Sequence, residues 1–192
     1  MRYRTAFLLF LLSLPLHGCV ADRPSRGWVQ RAQIGAAYPD FVFVDDEGIS
    51  RSLGNHLGDF TVLAFTRCDR DTHGPAAAIL RNIITEHRQA ALVKVVGIDI
   101  HWFDGSCDHT KCHLVASERD IQSVCDATGA VRRLYSANEA DQYVVIGPDH
   151  RITMKVGRDG VADLRRRLKK WVYQLSEKRA NEISQEYQSI GY

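Results

Sequence analysis

The sequence predicts an α/β fold, a mixed central sheet with helices on both faces. Three observations carry that prediction. Two short apolar runs of strand length, residues 61–66 (TVLAFT) and 92–100 (LVKVVGIDI), flank a stretch of helical periodicity. Two further runs, 142–146 and 151–156, flank Gly147-Pro148-Asp149-His150, which reads as an antiparallel hairpin. A last helical stripe follows the hairpin. A helix between two buried strands is the crossover of a parallel unit, and its connection is right-handed. Adding the hairpin makes the sheet mixed.

The elements follow in order. Phe41-Val42-Phe43-Val44 runs into Asp45-Asp46-Glu47-Gly48 as a strand entering a turn. Pro75 opens the crossover helix, because its fixed φ suits the first helical position. Ile79, Leu80, Ile83 and Ile84 repeat at helical spacing and form that helix's buried stripe. Ser117-Glu118-Arg119-Asp120 resembles a capping box, so Ile121, Val124 and Cys125 are expected on a helix face, with Cys125 a buried structural thiol. The last helix is expected from Asp159, with Val161, Leu164, Leu168, Trp171, Val172 and Leu175 on one face. Arg165-Arg166-Arg167 and Lys169-Lys170 fall opposite that stripe and read as a solvated face rather than a nucleic-acid patch.

The chain ends read differently from its middle. Arg2 and Arg4 precede an apolar segment, AFLLFLLSL, and Leu16-His17-Gly18-Cys19 closes it. Basic segment, apolar segment and small-residue cleavage site make a secretory signal, residues 1–18, too short to span a bilayer as a stable helix. Residues 19–33 are polar and aperiodic and read as a tether. Residues 34–175 form the domain, and 176–192 a polar, weakly helical extension. Removing residues 1–18 takes away two arginines and no acids, leaving 23 basic against 23 acidic side chains. A mature chain so nearly neutral has no electrostatic footprint for nucleic acid. Four cysteines besides Cys19 are too few for a disulfide-framework mini-protein.

Strand, helix, strand, helix, hairpin, helix is the thioredoxin order. The stretch GAAYPDFVFVDDEG, then Leu57-Gly58-Asp59-Phe60 and a strand ending Phe65-Thr66-Arg67-Cys68, resembles the redoxin superfamily that includes peroxiredoxins and SCO/SenC proteins. The resemblance implies a thioredoxin-like fold over roughly residues 34–175. In SCO/SenC proteins two cysteines and a downstream histidine bind copper, and the cysteines can cycle between dithiol and disulfide. Soft thiolates suit Cu(I), and imidazole suits both copper oxidation states. By that resemblance Cys68 falls on the first ligand position, Gly74 on the second, and Asn138 or Glu139 on the third. The site is degenerate, and a Cys68–Gly74 disulfide is chemically impossible. Peroxiredoxin chemistry fares no better, since Thr72-His73-Gly74-Pro75 supplies the threonine and proline but no sulfur. Leu16-x-Gly18-Cys19 likewise resembles a bacterial lipobox, which implies lipidation of Cys19. Val20 in place of an aspartate implies, by resemblance to Gram-negative sorting signals, the outer membrane facing the periplasm.

Cys68, flanked by Arg67 and Arg70 and opposed by Asp69 and Asp71, is a candidate catalytic thiol or else a relict. His73 could replace a lost copper ligand, or is a polar loop residue. A second cluster follows the 92–100 strand: His101, Cys107, His109, Cys112 and His113 within HWFDGSCDHTKCH. A local Cys107–Cys112 disulfide suits an oxidising compartment. A metal site could instead use Cys107, Cys112 and His113, joined by Cys68 if the two loops share one edge of the sheet. Cys-x4-Cys-His also resembles a haem-attachment motif of some multihaem cytochromes c. The fourth reading is unpaired residues in an exposed loop. Two functional classes stay open. One is an extracytoplasmic, lipid-anchored copper-handling or thiol–disulfide protein with a protein client, an oxidase subunit or thiol partner. The other is a thioredoxin-fold binding module without chemistry. No Ser-His-Asp order or phosphate loop appears, so hydrolases and nucleotide enzymes are not supported.

Overall fold

A computed structural model describes residues 32–45, 49–67, 75–102, 120–139 and 141–190. Its centre is a five-stranded sheet in the order β5 (Ile121–Asp126), β4 (Val95–Trp102), β3 (Phe60–Arg67), β6 (Gln142–Ile146), β7 (Ile152–Val156). β3 (Phe60–Arg67) and β4 (Val95–Trp102) pair in parallel from Phe60↔Val95 to Arg67↔Trp102. They are joined through α1 (Pro75–His87), as the apolar runs on either side of a helical stripe predicted. β6 (Gln142–Ile146) pairs antiparallel with β3 and with β7 (Ile152–Val156), so the expected hairpin completes a mixed sheet. A small second sheet, β1 (Val42–Val44) against β2 (Ser50–Ser52), precedes them. The sequence did not announce β2, which is wholly polar.

One prediction fails. The residues expected to continue a capped helix form instead the edge strand β5 (Ile121–Asp126), parallel to β4 with Gly97↔Ile121 and Trp102↔Asp126 in register. Ile121 packs with the α1 core while Val124 packs in the opposite one. A strand covered on both faces carries apolar side chains both ways, so its i, i+3 pair mimics a helical stripe. Ser117 to Arg119 lie outside the described residues.

Alternation along each strand divides the core in two. Val62, Ala64, Tyr143 and Val145 face α1 and the long α3 (Val161–Ser189), whose Leu164, Leu168 and Val172 are buried as the stripe predicted. Leu63, Phe65, Ile98, Ile100 and Val144 face the other way, against Phe43, Leu53 and the short α2 (Ala130–Leu134) with Val131 and Tyr135. Gly97 lets α1 lie close on β4, since a Cβ there would stand 3.0 Å from Ile84 Cγ1 and 3.1 Å from Leu80 Cγ. The basic run of α3 is turned outward: Arg165 pairs with Glu86, and Arg166 and Arg167 with Asp163. The extension beyond residue 175 simply continues α3. Among the described residues no helix is long and apolar enough to cross a membrane.

The far half of α3 is pinned by Arg179, which donates to Asp59 Oδ2 at 2.8 Å and to Oδ1 at 2.5 Å. Asp59 Oδ2 also accepts from the Lys94 amide at 2.7 Å. Burial alone would raise the Asp59 pKa, but the Arg179 and Lys94 hydrogen bonds hold it below its ordinary 3.8. A carboxylate with a depressed folded-state pKa stabilises above its unfolded pKa and loses that contribution as pH falls through the folded value. Asp59→Asn should therefore melt below the parent at pH 7, with the gap closing at pH 3. Equal separation of the two melting curves at both pH values would contradict the assignment.

Candidate functional site

The parallel strands β3, β4 and β5 end together at Arg67, Trp102 and Asp126. In sheets of this kind the carboxyl edge is where ligands and chemistry gather. The first predicted site residue, Cys68, follows β3 directly in the sequence. Cys68, His73, Cys107, His109, Cys112, His113 and Cys19 all lie outside the described residues. Asn138 and Glu139, on the third family position, are exposed.

What the structure does describe at this edge is a buried polar cluster on the α1 face. Thr66 Oγ1 donates to Asp99 Oδ1 at 2.8 Å. His101 Nε2 stands 3.1 Å from Asp99 Oδ2, at ion-pair distance. Thr66, Asp99 and His101 are 0%, 3% and 1% exposed, which makes this a fully buried carboxylate–imidazole pair. Such groups are seldom buried without a partner, because desolvating a lone charge is costly. Tyr143, at the start of β6, shares the face and is also fully buried, and its hydroxyl has no hydrogen-bond partner among the described residues. Burial first, then the charges of Asp141 and Asp99, push its pKa well above the ordinary phenol value. Asp141, with φ of 60°, hands its amide to Phe65 O at 3.1 Å and so fixes the turn into β6.

The cluster has a sulfur neighbour. Cys125 is register-paired with His101 across β4 and β5. Val124 faces the α2 core, so alternation puts Cys125 on the face of Thr66, Asp99 and His101. Cys125 is disulfide-bonded. That overturns the expectation of a buried structural thiol on a helix. The residue is a half-buried cystine half on an edge strand, and its partner is one of the cysteines outside the described residues. Among the described residues no group of three or more His, Cys, Asp or Glu side chains could hold a metal ion.

No protein-family model matches the chain, and no curated protein is significantly similar to it. Solved structures are similar. The thioredoxin domain of a thiol-disulfide oxidoreductase from Bacteroides vulgatus matches at TM-score 0.54 and 15% identity, over 73% of this chain and 98% of that one. A thiol:disulfide interchange protein from Bacteroides sp. matches at TM-score 0.55 and 13% identity, over 74% and 91%. Copper-bound ScoI from Arabidopsis thaliana matches at TM-score 0.57 and 17% identity, over 72% and 99%. At such identities the likeness establishes the fold: the chain has the thioredoxin-like fold found in thiol–disulfide oxidoreductases and in an SCO protein.

Proposed function

We propose that this chain is an extracytoplasmic thiol–disulfide exchange protein, held at the cell envelope through Cys19. The observation that carries the reading is the Cys125 disulfide, standing beside the buried Asp99–His101 pair at the carboxyl edge of a thioredoxin-like sheet. A disulfide suits an exported protein, as does the signal-like segment ending at Cys19. In the exchange, a client thiolate attacks one sulfur of the Cys125 disulfide, the S–S bond breaks, and a mixed disulfide forms as the other sulfur leaves as thiolate. The client's second thiol, losing its proton, attacks the mixed disulfide and releases the second protein thiol. The client dithiol is oxidised by two electrons and this disulfide is reduced. Two protons pass from client to protein, and His101 is the buried imidazole positioned to carry one. Cys68, next in sequence to β3, is the first candidate for the second protein sulfur.

A second reading is copper handling. It is favoured by the likeness to copper-bound ScoI and by the pairing of a sulfur with an imidazole at Cys125 and His101. Here copper would be cargo, taken by the reduced thiols of Cys125, Cys68 or the Cys107–His113 loop, and an oxidase-maturation client would follow from that.

Equilibrating the protein against glutathione or dithiothreitol buffers, with alkylated cysteines counted by mass, separates these readings. An exchange protein should show its Cys125 disulfide reduced at a potential above roughly −300 mV, where structural disulfides lie below that value. The reduced protein, its Cys68→Ser variant and its Cys107→Ser/Cys112→Ser variant are then titrated with Cu(I). A disulfide resistant to all buffers, with no copper bound after forced reduction, leaves the inert binding module standing.

A further inference from the structure

The far half of α3 carries an exposed apolar stripe. Four of the seven large hydrophobic side chains exposed among the described residues belong to it: Tyr173, Ile183, Tyr187 and, at the helix's C-terminal cap, Ile190. With Ser176 and Ala180 they stand at 173, 176, 180, 183, 187 and 190, an unbroken alternation of three- and four-residue steps. That is the narrow a/d seam of a coiled coil, not the broader face a helix turns to a domain core. The core face of α3, with Leu164, Leu168 and Val172, follows a different line. Arg179 is the last residue of the helix paired with another element among the described residues, and residues 180–190 are all exposed. A free-standing helix of that length is marginal in water, because helices take most of their stability from packing an apolar face.

We propose that this seam pairs, antiparallel, with the same seam of a second copy of the chain. The pairing is self-complementary, as a two-fold interface must be. Its layers set Tyr173 against Ile190, Ser176 against Tyr187 and Ala180 against Ile183, each twice by symmetry. No layer joins two tyrosines or two small residues, as a parallel pair would. Charge agrees: Glu186, which forms no ion pair among the described residues, comes beside Arg179 of the second copy, and Glu177 beside Ser184. The Tyr173 hydroxyl donates to Glu177, so covering the ring leaves it paired. A lipid surface fits less well, since residues 176–190 hold three acidic against two basic side chains, where a membrane-lying helix has a basic polar face. Arg179 is anchored on Asp59 and on Leu92 O, both shortly before β3 and β4, so the paired helices lie at the amino edge of the parallel strands. Both carboxyl edges, with their Cys125 disulfides, stay open. The pairing does not rest on the exchange reading.

Sedimentation equilibrium of the intact chain, in a density-matched detergent that shields residues 1–18, should show a reversible monomer–dimer equilibrium. Helicity by circular dichroism should rise with concentration as the free helix finds its partner. Ile183→Glu/Ile190→Glu, which places charges in the seam, should weaken dimerisation at least about tenfold. Glu186→Arg, which sets like charges opposite one another, should weaken it by less. These positions lie beyond the core, and the Trp171 indole resonance, from a ring stacked on Phe60, should stay in place in every variant and so certifies folding. The photoreactive variant Tyr173→p-benzoylphenylalanine should join to the 187–190 turn of the second copy. Joining at position 173 itself marks a parallel pair and overturns the antiparallel assignment. A chain monomeric at every concentration, or a dimer unaffected by the double variant, overturns the proposal. So does a chain that stays monomeric and binds phosphatidylglycerol vesicles through the seam.

Discussion

Asp99→Ala should lower the melting temperature by roughly 6–20 °C. The carboxylate lies inside the sheet, accepting from Thr66 and facing His101, with all three residues no more than 3% exposed. Removing one member of a buried pair leaves the others desolvated and uncompensated, a cost of about 3–5 kcal/mol. For a chain of this size each kcal/mol moves the melting temperature by about 2–4 °C. The informative comparison is a triple variant, Thr66→Val/Asp99→Val/His101→Leu, which removes every polar member together. Buried ion pairs replaced by packed apolar groups are often neutral or stabilising, so this variant should recover most of the loss. If it also exchanges disulfides more slowly than the parent, the cluster is kept for chemistry rather than stability. An Asp99→Ala variant within 1 °C of the parent would show that the pair is not integrated into the core.

That cluster also marks how far the sequence could be read. Asp99 stands in the apolar run 92–100, whose other charge is Lys94, and a carboxylate buried there needs a partner. The partner Thr66 lies 33 residues away, however, and only the parallel register Thr66↔His101 brings the two strands together. Apolar periodicity was enough for β3, α1, β4, the β6–β7 hairpin and α3, because each element's buried face is decided mainly by its own spacing. It misled at β5, an edge strand whose half-buried Ile121 and buried Val124 pack in opposite cores. That single error also mislaid Cys125. On a helix it reads as packing; on an edge strand, register-paired with His101, it is half of a disulfide. β2 escaped because Ser50-Arg51-Ser52 has no apolar face. Its pairing depends on Asp45, whose side chain accepts from the Ile49 amide at 2.8 Å and pairs with Arg51.

Cys125→Ser should reduce disulfide exchange with a model dithiol by at least about 100-fold, since no second sulfur can then be released from that strand. It should also destabilise the oxidised protein by about 2–4 kcal/mol, the usual contribution of a cross-link that restricts the unfolded chain. Both effects have an internal control in the parent protein treated with reductant, which should melt close to Cys125→Ser. Alkylation under non-reducing conditions should label one cysteine in the variant that is protected in the parent, and peptide mapping of that label identifies the partner. A label on Cys68 would join the first sulfur after β3 to the strand bearing the Asp99–His101 neighbour. One on Cys107 or Cys112 would exclude the local Cys107–Cys112 bridge and make the 103–119 segment the exchanging arm. If the variant loses stability but exchanges at the parent's rate, the Cys125 link is a structural staple. The sulfur chemistry would then have to reside in the remaining cysteines, with His101 no longer beside it.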